Sequence, residues 1–252
     1  MRVSWVILTY NRRQTVERAV RHNLEKSGII PDEIIHVDNG SSDGVSEFFR
    51  NEVRVDVQIL NRENLGVAKG YNRGVVLATG SHIVITGCDR LMPDRWCERM
   101  RWGFENIPRT GLISCYTWPI ERTAERYRDP RGIEEHAGEK IINAMPMEAK
   151  MYPRDILKHI GHLREDFGLY GWEDNEWAVR VEKHCKNHDL KTYIFAENWC
   201  AEHLGTEGVV PWNGKDDADY HAFKAREAND PKKQAVLSKV ASQGNPYYTP
   251  YV

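Results

Sequence analysis

Three short runs of β-favouring residues in this chain each end abruptly in polar, turn-forming residues. Val3 to Leu8 gives way to Thr9-Tyr10-Asn11. Ile34-Ile35-His36-Val37 ends in Asp38, followed by Asn39-Gly40-Ser41-Ser42-Asp43-Gly44. Ile83-Val84-Ile85-Thr86 runs into Gly87-Cys88-Asp89. Segments of helical period lie between them. Arg12 to Lys26 carries Val16, Ala19, Val20 and Leu24 on one side, and Val45 to Asn51 reads as a short helix that Ser42 or Asp43 would cap. Leu65 to Thr79 reads as a helix stopped by Gly80; Val55–Leu60 and Leu112–Thr117 read as strands; Pro93 is placed to open a helix through Asn106. This alternation predicts an α/β fold, a mostly parallel central sheet with helices on both faces. In an open sheet of that kind ligands bind outside the carboxyl ends of the strands. The polar clusters all fall at that edge, which points to a nucleotide-type ligand, with Asp89 placed for a metal at its phosphates.

The rhythm breaks at Trp118. From there to Lys140 the chain is polar and interrupted by Pro119, Pro130 and Gly132, which reads as a long irregular segment, expected either to close over a site or to be disordered. Pattern resumes with Ile141-Ile142, with Lys150 to Tyr152, and with a helix begun by Pro153. A strong helix from Glu173 to about Lys186 and a last strand from Lys191 to Ala196 follow. Beyond Gly205 the sequence turns polar, with one helical pattern at His221–Ala228 and a loose tail from Gly244. The expected organisation is one domain over residues 1–205 and a C-terminal extension over 206–252. Within the domain, 1–117 would form a nucleotide-binding half and 118–205 an acceptor and catalytic half.

Composition narrows the classes. Lys and Arg number 35 against 37 Asp and Glu, a formal net charge of -2, so no global basic field draws the chain to nucleic acid or anionic lipid. The local arginine-rich stretch Arg90–Arg131 reads as a solvated face of mixed charge or as a positive rim for an anionic ligand. Cys88, Cys97, Cys115, Cys185 and Cys200 are odd in number and widely spaced, which argues against a disulfide framework or a zinc knuckle. The apolar run after Arg2 ends at Tyr10-Asn11-Arg12-Arg13, too soon for a secretory signal. No segment approaches the ~18 apolar residues of a membrane span, so the expected location is cytoplasmic.

Several side chains suit chemistry, each with a plainer alternative. Asp38 would accept hydrogen bonds from a base or ribose, or serve an ordinary strand-to-helix turn. Gly66, Gly70 and Gly74 each cost a helix about 1 kcal/mol against alanine. They imply close packing under a ligand or against the sheet, and the first would let Lys69 reach a phosphate. Glu173 and Asp174 follow Leu169-Tyr170-Gly171-Trp172 and open a helix, where carboxylates belong on electrostatic grounds alone. With Glu176 one turn on, and Tyr170 and Trp172 able to stack on a sugar, the pair also suits a general base. His203 follows a strand and is a possible ligand; His36 alternates with apolar neighbours and reads as core.

Together these blocks resemble glycosyltransferase family 2, inverting enzymes of the GT-A fold. The resemblance is carried by Val3 to Arg12, Val37 to Gly44, Asn64-Leu65-Gly66 through Asn72-Arg73-Gly74, Gly87-Cys88-Asp89, Gly171-Trp172-Glu173-Asp174 and His203. The Asp-Asn-Gly-Ser-Ser and Asn-Leu-Gly blocks look most like the rhamnosyltransferase-like branch. The resemblance implies a UDP-, dTDP- or GDP-sugar donor and Mg²⁺ or Mn²⁺. It implies that Thr9, Asn11 and Asp38 hold the nucleoside, with Tyr10, Asn39, Asn64 and Cys88 in the same donor blocks, and that Lys69 and Asn72 lie near base or diphosphate. Asp89 corresponds to the last aspartate of an Asp-x-Asp metal motif and His203 to a histidine completing the metal shell. Asp174 corresponds to the catalytic base, and Glu173 beside it would orient the acceptor, with Tyr170 and Trp172 on the acceptor side.

One position departs from the family pattern: Gly87 stands where the first aspartate of the metal motif is expected; Arg90 after Asp89 is also unusual, and would contact the diphosphate or merely pair with a carboxylate. The acceptor, whether glycan, protein or modified nucleobase, has no code in the sequence. Rival readings are a nucleotidyltransferase, which would show a basic, glycine-rich loop after the first strand where this chain has Thr9-Tyr10-Asn11-Arg12, and a non-catalytic sugar-nucleotide-binding protein.

Overall fold

The computed structural model describes residues 1–118, 133–143, 149–171, 173–195 and 199–204. Trp172, the 119–132 part of the expected closing segment and the whole 206–252 extension lie outside the described residues.

The strands are β1 (Val3–Thr9), β2 (Glu33–Asp38), β3 (Val57–Leu60), β4 (His82–Thr86), β5 (Arg90–Leu91), β6 (Thr110–Trp118), β7 (Ile133–His136), β8 (Glu139–Asn143), β9 (Ala149–Pro153), β10 (Lys191–Phe195) and β11 (Cys200–His203). The helices are α1 (Arg13–Glu25), α2 (Val45–Glu52), α3 (Val67–Leu77), α4 (Trp96–Asn106), α5 (Leu157–Ile160) and α6 (Glu173–Asn187). The sheet runs in the order β3-β2-β1-β4-β9-β6-β10-β8-β7, with β11 beside the end of β6 and β5 beside β11. β1, β2, β3 and β4 pair in parallel, as do β6 and β10; β9 is antiparallel to both β4 and β6. The main strands on either side of β9 therefore point the same way, and their carboxyl ends share one edge.

Both faces are covered. Val3, Trp5 and Ile7 of β1 pack with Val16 and Val20 of α1, Phe48 and Phe49 of α2, and Trp96 and Met100 of α4. Val6 and Leu8 point to the other face, with Val75 of α3 and Trp177, Val181 and Cys185 of α6. This alternation along β1 is the two-residue period of a strand buried on both sides.

The glycines of α3 answer to the sheet. A β-carbon on Gly70 would lie 2.4 Å from Leu8 Cδ1, and one on Gly74 would lie 2.5 Å from Val6 Cγ1 and 2.9 Å from Val37 Cγ2. The missing side chains let the helix lie directly on β1 and β2. Gly66 is different: it precedes the helix at φ +88°, pressed against the backbone of Gly168 and Leu169.

Three expectations are corrected. Pro93 does not open α4. Arg95 adopts φ 55°, and the helix starts at Trp96, whose amide donates to the Lys26 carbonyl while those of Cys97 and Glu98 donate to Ser27. The end of α1 thus satisfies the amides that proline was expected to excuse. The run to Lys140 is not irregular throughout: β7 and β8 form an antiparallel hairpin turning at Ala137 and Gly138, both at positive φ, and β8 extends the sheet beyond β10. β10 is not the last strand, because β11 follows it.

Gly74→Ala separates helix propensity from packing. Propensity alone predicts a gain of about 1 kcal/mol, whereas forcing a methyl against Val6 and Val37 costs about 1–3 kcal/mol. We expect a lower urea midpoint than wild type; a raised midpoint would mean that α3 does not rest on the sheet this closely.

Candidate active site

At the carboxyl edge the register sets Thr9 of β1 beside Asp38 of β2, and Asp38 beside Leu60 of β3. Asp38 is buried. It accepts from the Ser41 amide at 3.0 Å and from the hydroxyls of Ser41 and Ser46. A carboxylate offers roughly four acceptor positions, so these donors orient Asp38 and leave capacity for one more. Thr9 is also buried, its Oγ1 2.8 Å from His36 Nε2. His36 stacks on Phe49 with ring centroids 3.6 Å apart and lies 3.2 Å from Gln58 Nε2 through Nδ1. Burial depresses its pKa to about 3, which agrees with its reading as core.

The turn after β1 is bent hard. Asn11 and Arg12 are consecutive non-glycine residues at φ 54° and 64°, in the sparsely populated left-handed region. The turn after β2 holds them there. The Asn11 amide donates to Ser41 Oγ at 2.7 Å, Asn11 Oδ1 accepts from the Ser42 amide at 2.9 Å, and the Arg13 amide donates to Asp43 Oδ2 at 2.7 Å. Asp43 therefore caps α1 from another element, and its Oδ1 also accepts from the Val45 amide at the start of α2. Tyr10 projects into solvent from the same turn.

Asn39 and Asn64 tie the edge together. Asn39 Nδ2 donates to Asn64 Oδ1 at 2.8 Å and to the Gly66 carbonyl at 3.1 Å, and its Oδ1 accepts from Asn61 and from the Leu65 amide. Asn72 has its carboxamide on the segment before α6, donating to the Leu163 carbonyl and Glu165 Oε1 and accepting from the Leu163 amide. Lys69 stands exposed in the first turn of α3. These three asparagines are bound into the scaffold, a role that their presence in the motif blocks does not distinguish from ligand binding.

Asp89 is the centre of an ion cluster. Its Oδ2 lies 3.1 Å from Arg12 Nη1 and 3.4 Å from His203 Nε2, and its Oδ1 lies 3.1 Å from Arg90 Nη1. Three separate stretches of chain meet here. Arg12 comes from the turn after β1 and Asp89 from the turn after β4. β5 pairs antiparallel with β11, placing His203 directly opposite Arg90. Buried Asn23 of α1 clamps β5 from both sides, donating to the Arg90 carbonyl at 2.9 Å and accepting from the Met92 amide at 2.7 Å. Sequence reasoning placed Asp89 and His203 as a pair but missed Arg12, and β5 is too short to show a period. Burial, with the Asp89 charge beside it, pushes the Cys88 thiol up to about 12, so this cysteine stays protonated.

The second carboxylate group reaches the same edge by topology. α6 leads through a short turn into β10, which runs parallel to β6, so the start of α6 lies at the carboxyl ends. The preceding loop docks on α3, where the Val67 amide donates to the Leu169 carbonyl at 2.9 Å. Glu176 is buried and bound by Arg180 through Nε at 2.8 Å and Nη2 at 2.6 Å, a structural pair. Glu173 is buried, while Asp174 is half-buried with Oδ1 accepting from the Asn175 amide at 2.8 Å. Tyr170, half-buried, lies on the same loop.

With this geometry in place, similarity to known proteins defines the class. Residues 4–161 match the model of glycosyl transferase family 2, and the chain belongs to that family. It is 34% identical over 200 residues to an uncharacterized protein of Mycobacterium tuberculosis (strain CDC 1551 / Oshkosh), covering 71% of this chain and 61% of that one. The chain thus spans about three fifths of that relative's length. The fold is similar to that of a mannosyltransferase, PcManGT, from Pyrobaculum calidifontis in complex with GDP-Man and Mn2+, with a TM-score of 0.64, 20% identity, 97% of this chain and 76% of that one. It is also similar to S. aureus TarS in complex with UDP-GlcNAc, with a TM-score of 0.58, 14% identity, 82% of this chain and 60% of that one. The architecture is GT-A: a large central sheet flanked by helices. Among the described residues no helix is long and apolar enough to cross a membrane.

His36 predicts a pH dependence. It stays neutral in the fold down to about 3, while in the unfolded chain it protonates near its ordinary 6.5. Its contribution is complete above about 6.5 and is lost as pH falls toward 3, with a slope approaching about 1.4 kcal/mol per pH unit. His82, depressed to about 4 chiefly by burial, acts in the same direction. We expect His36→Gln to flatten the fall of unfolding free energy with acid, measured by urea titration at several pH values; an unchanged slope would place the imidazole in contact with water.

Proposed function

We propose that this chain transfers a sugar from a nucleotide-diphosphate donor to an acceptor hydroxyl with inversion at the anomeric carbon. The observation that carries the reading is the convergence at one sheet edge of the Thr9–Asp38 corner, the Asp89 cluster and the carboxylates opening α6. Family membership supports it, as do similar folds solved with GDP-Man and with UDP-GlcNAc. Residues 1–117 would bind the donor and 118–205 would receive the acceptor, with Tyr170 beside it. Within the family we favour the rhamnosyltransferase-like branch, on the Asp-Asn-Gly-Ser-Ser and Asn-Leu-Gly blocks.

In this reading Thr9, Asn11 and Asp38 receive the nucleoside. Asp174 accepts the proton of the acceptor hydroxyl as the oxygen lone pair attacks the anomeric carbon from the face opposite the leaving group. The bond from that carbon to the diphosphate oxygen breaks, and its electron pair leaves with the nucleoside diphosphate. Glu173, buried beside Asp174, positions the acceptor.

The residues suit a divalent cation held mainly by its substrate. Among the described residues no group of three or more His, Cys, Asp or Glu is arranged to hold a metal ion. The Asp89 carboxylate and the His203 imidazole do converge at 3.4 Å, which suits Mg²⁺ or Mn²⁺ completed by phosphate oxygens and water. Such a cation would supply Lewis-acid stabilisation of the departing diphosphate.

Asp174→Asn keeps shape and packing and removes the proton acceptor. We expect donor affinity near wild type, an unchanged melting temperature within about 2 °C, and transfer slowed by about 10²–10⁴-fold. Turnover within a few-fold of wild type would remove Asp174 from the mechanism and make Glu173 the next carboxylate to test.

A further inference from the structure

We infer that Tyr71 and Asn72, neighbours on α3, are positioning residues for transfer: the first holds the turn that carries Asp89, and the second holds the segment that leads to Asp174. The inference rests on the sugar-transfer reading and concerns the same site.

The Tyr71 side begins where β4 leaves β9. The two strands pair as far as Ile85 opposite Lys150, and their ladder stops there. β9 carries on to Ala149, which pairs with Cys115 of β6 instead. The next residue of β4 is buried Thr86, and the Tyr71 hydroxyl donates to its carbonyl at 2.9 Å. Thr86 Oγ1 accepts from Trp5 Nε1 at 2.9 Å, and Trp5 packs on the face of the sheet opposite α3. Thr86 is thus gripped from both faces immediately before Gly87-Cys88-Asp89.

The Asn72 side is an amide pairing. Buried Asn72 donates through Nδ2 to the Leu163 carbonyl at 2.8 Å and accepts at Oδ1 from the Leu163 amide at 3.1 Å, as one strand residue pairs with another. Its Nδ2 also donates to Glu165 Oε1 at 3.0 Å. A carboxamide nitrogen carries two hydrogens, and both are engaged here. The nitrogen therefore serves the segment before α6, not the donor. That segment returns to α3 at Leu169, whose carbonyl accepts from the Val67 amide at 2.9 Å, and Phe167 is buried between the two attachments. Glu173 and Asp174 open α6 shortly after.

Helix α3 has little freedom of its own, because Gly70 and Gly74 bring it against Leu8, Val6 and Val37. Tyr71 and Asn72 are consecutive, so a single peptide unit separates the anchor of the Asp89 turn from the anchor of the acceptor segment. Transfer with inversion needs those two walls in register. The hydroxyl that Asp174 deprotonates must meet the anomeric carbon opposite the departing diphosphate, and a misplacement of about 1 Å in such a geometry can cost about 10²-fold in rate.

The test compares Tyr71→Phe and Asn72→Ala with Tyr193→Phe, all in the full chain. The Tyr193 hydroxyl donates to the Pro108 carbonyl at 3.3 Å, just before β6 at the amino edge, so this control loses the same kind of bond away from the site. Three quantities are measured for each: melting temperature, UDP and GDP affinity in Mn²⁺ by calorimetry, and cleavage of UDP-GlcNAc and GDP-Man in Mn²⁺. Both phenylalanine variants should melt within about 4 °C of wild type. Tyr71→Phe should weaken the better nucleoside diphosphate by about fivefold or more, as the Asp89 turn is released, while Asn72→Ala binds it within about twofold of wild type. Both should slow cleavage by about tenfold or more at a temperature where each is folded, with Tyr193→Phe unchanged. A folded Tyr71→Phe that binds and cleaves like Tyr193→Phe overturns the inference and leaves sugar transfer standing. So does an Asn72→Ala that loses nucleotide affinity, which would return Asn72 to the donor. If Asn72→Ala does not fold, the comparison of the two phenylalanine variants decides; if wild type binds nucleotide but cleaves neither sugar nucleotide, the pattern of affinities decides. No nucleotide bound by wild type overturns the sugar-transfer reading and this inference with it.

Discussion

A sheet covered on both faces leaves its strands nowhere to display polar chemistry except at their ends. Trp5 and Ile7 face one layer of helices, Val6 and Leu8 the other, and all four are buried. The two ends are treated differently. At the amino end Glu33 is sealed: it accepts from Ser4 Oγ and from the amide and hydroxyl of Thr79, and the Gly80 amide closes on Ser4. Burial alone would raise the Glu33 pKa, yet these bonds outweigh it and hold the carboxyl below its ordinary value. That edge is closed structure. At the carboxyl end Asp38 and Asp89 are oriented by donors in the turns that follow β2 and β4, the edge at which an open sheet of this kind binds ligands.

The features legible in the sequence were those governed by local period and by strand ends. The strands β1, β2 and β4 and the helices α1, α2 and α6 follow from hydrophobic alternation, and the polar residues that terminate the strands fall where the fold puts them. What escaped was set by pairing between distant segments. β5 has two residues and no period of its own; it exists because β11 lies beside it and Asn23 holds its backbone. The β7–β8 hairpin read as irregular because its strands are short and highly charged. Side-chain bonds converge on Glu134: Lys191 reaches it from β10, His136 from the same strand and Asn143 from across the pair, and together they draw its carboxyl down to about 2. The direction of Arg12 depends on a positive φ enforced by residues thirty positions away, which no pattern within its own segment announces.

The same distinction explains why the motif residues divide into two kinds. Asn39, Asn64 and Asn72 stand in blocks associated with donor binding, yet their carboxamides cross-link the turn after β2, the entrance of α3 and the segment before α6. They act on the ligand edge by fixing its shape. At the start of α6 three carboxylates likewise have three environments: Glu176 is buried against Arg180, Glu173 is buried without belonging to that pair, and Asp174 is half-buried at the rim. Glu176 has both carboxylate oxygens taken up by the Arg180 fork, which leaves it a structural group. In the proposed mechanism the proton acceptor is Asp174, the one of the three that the scaffold leaves half-exposed, while Glu176 beside it is held by Arg180.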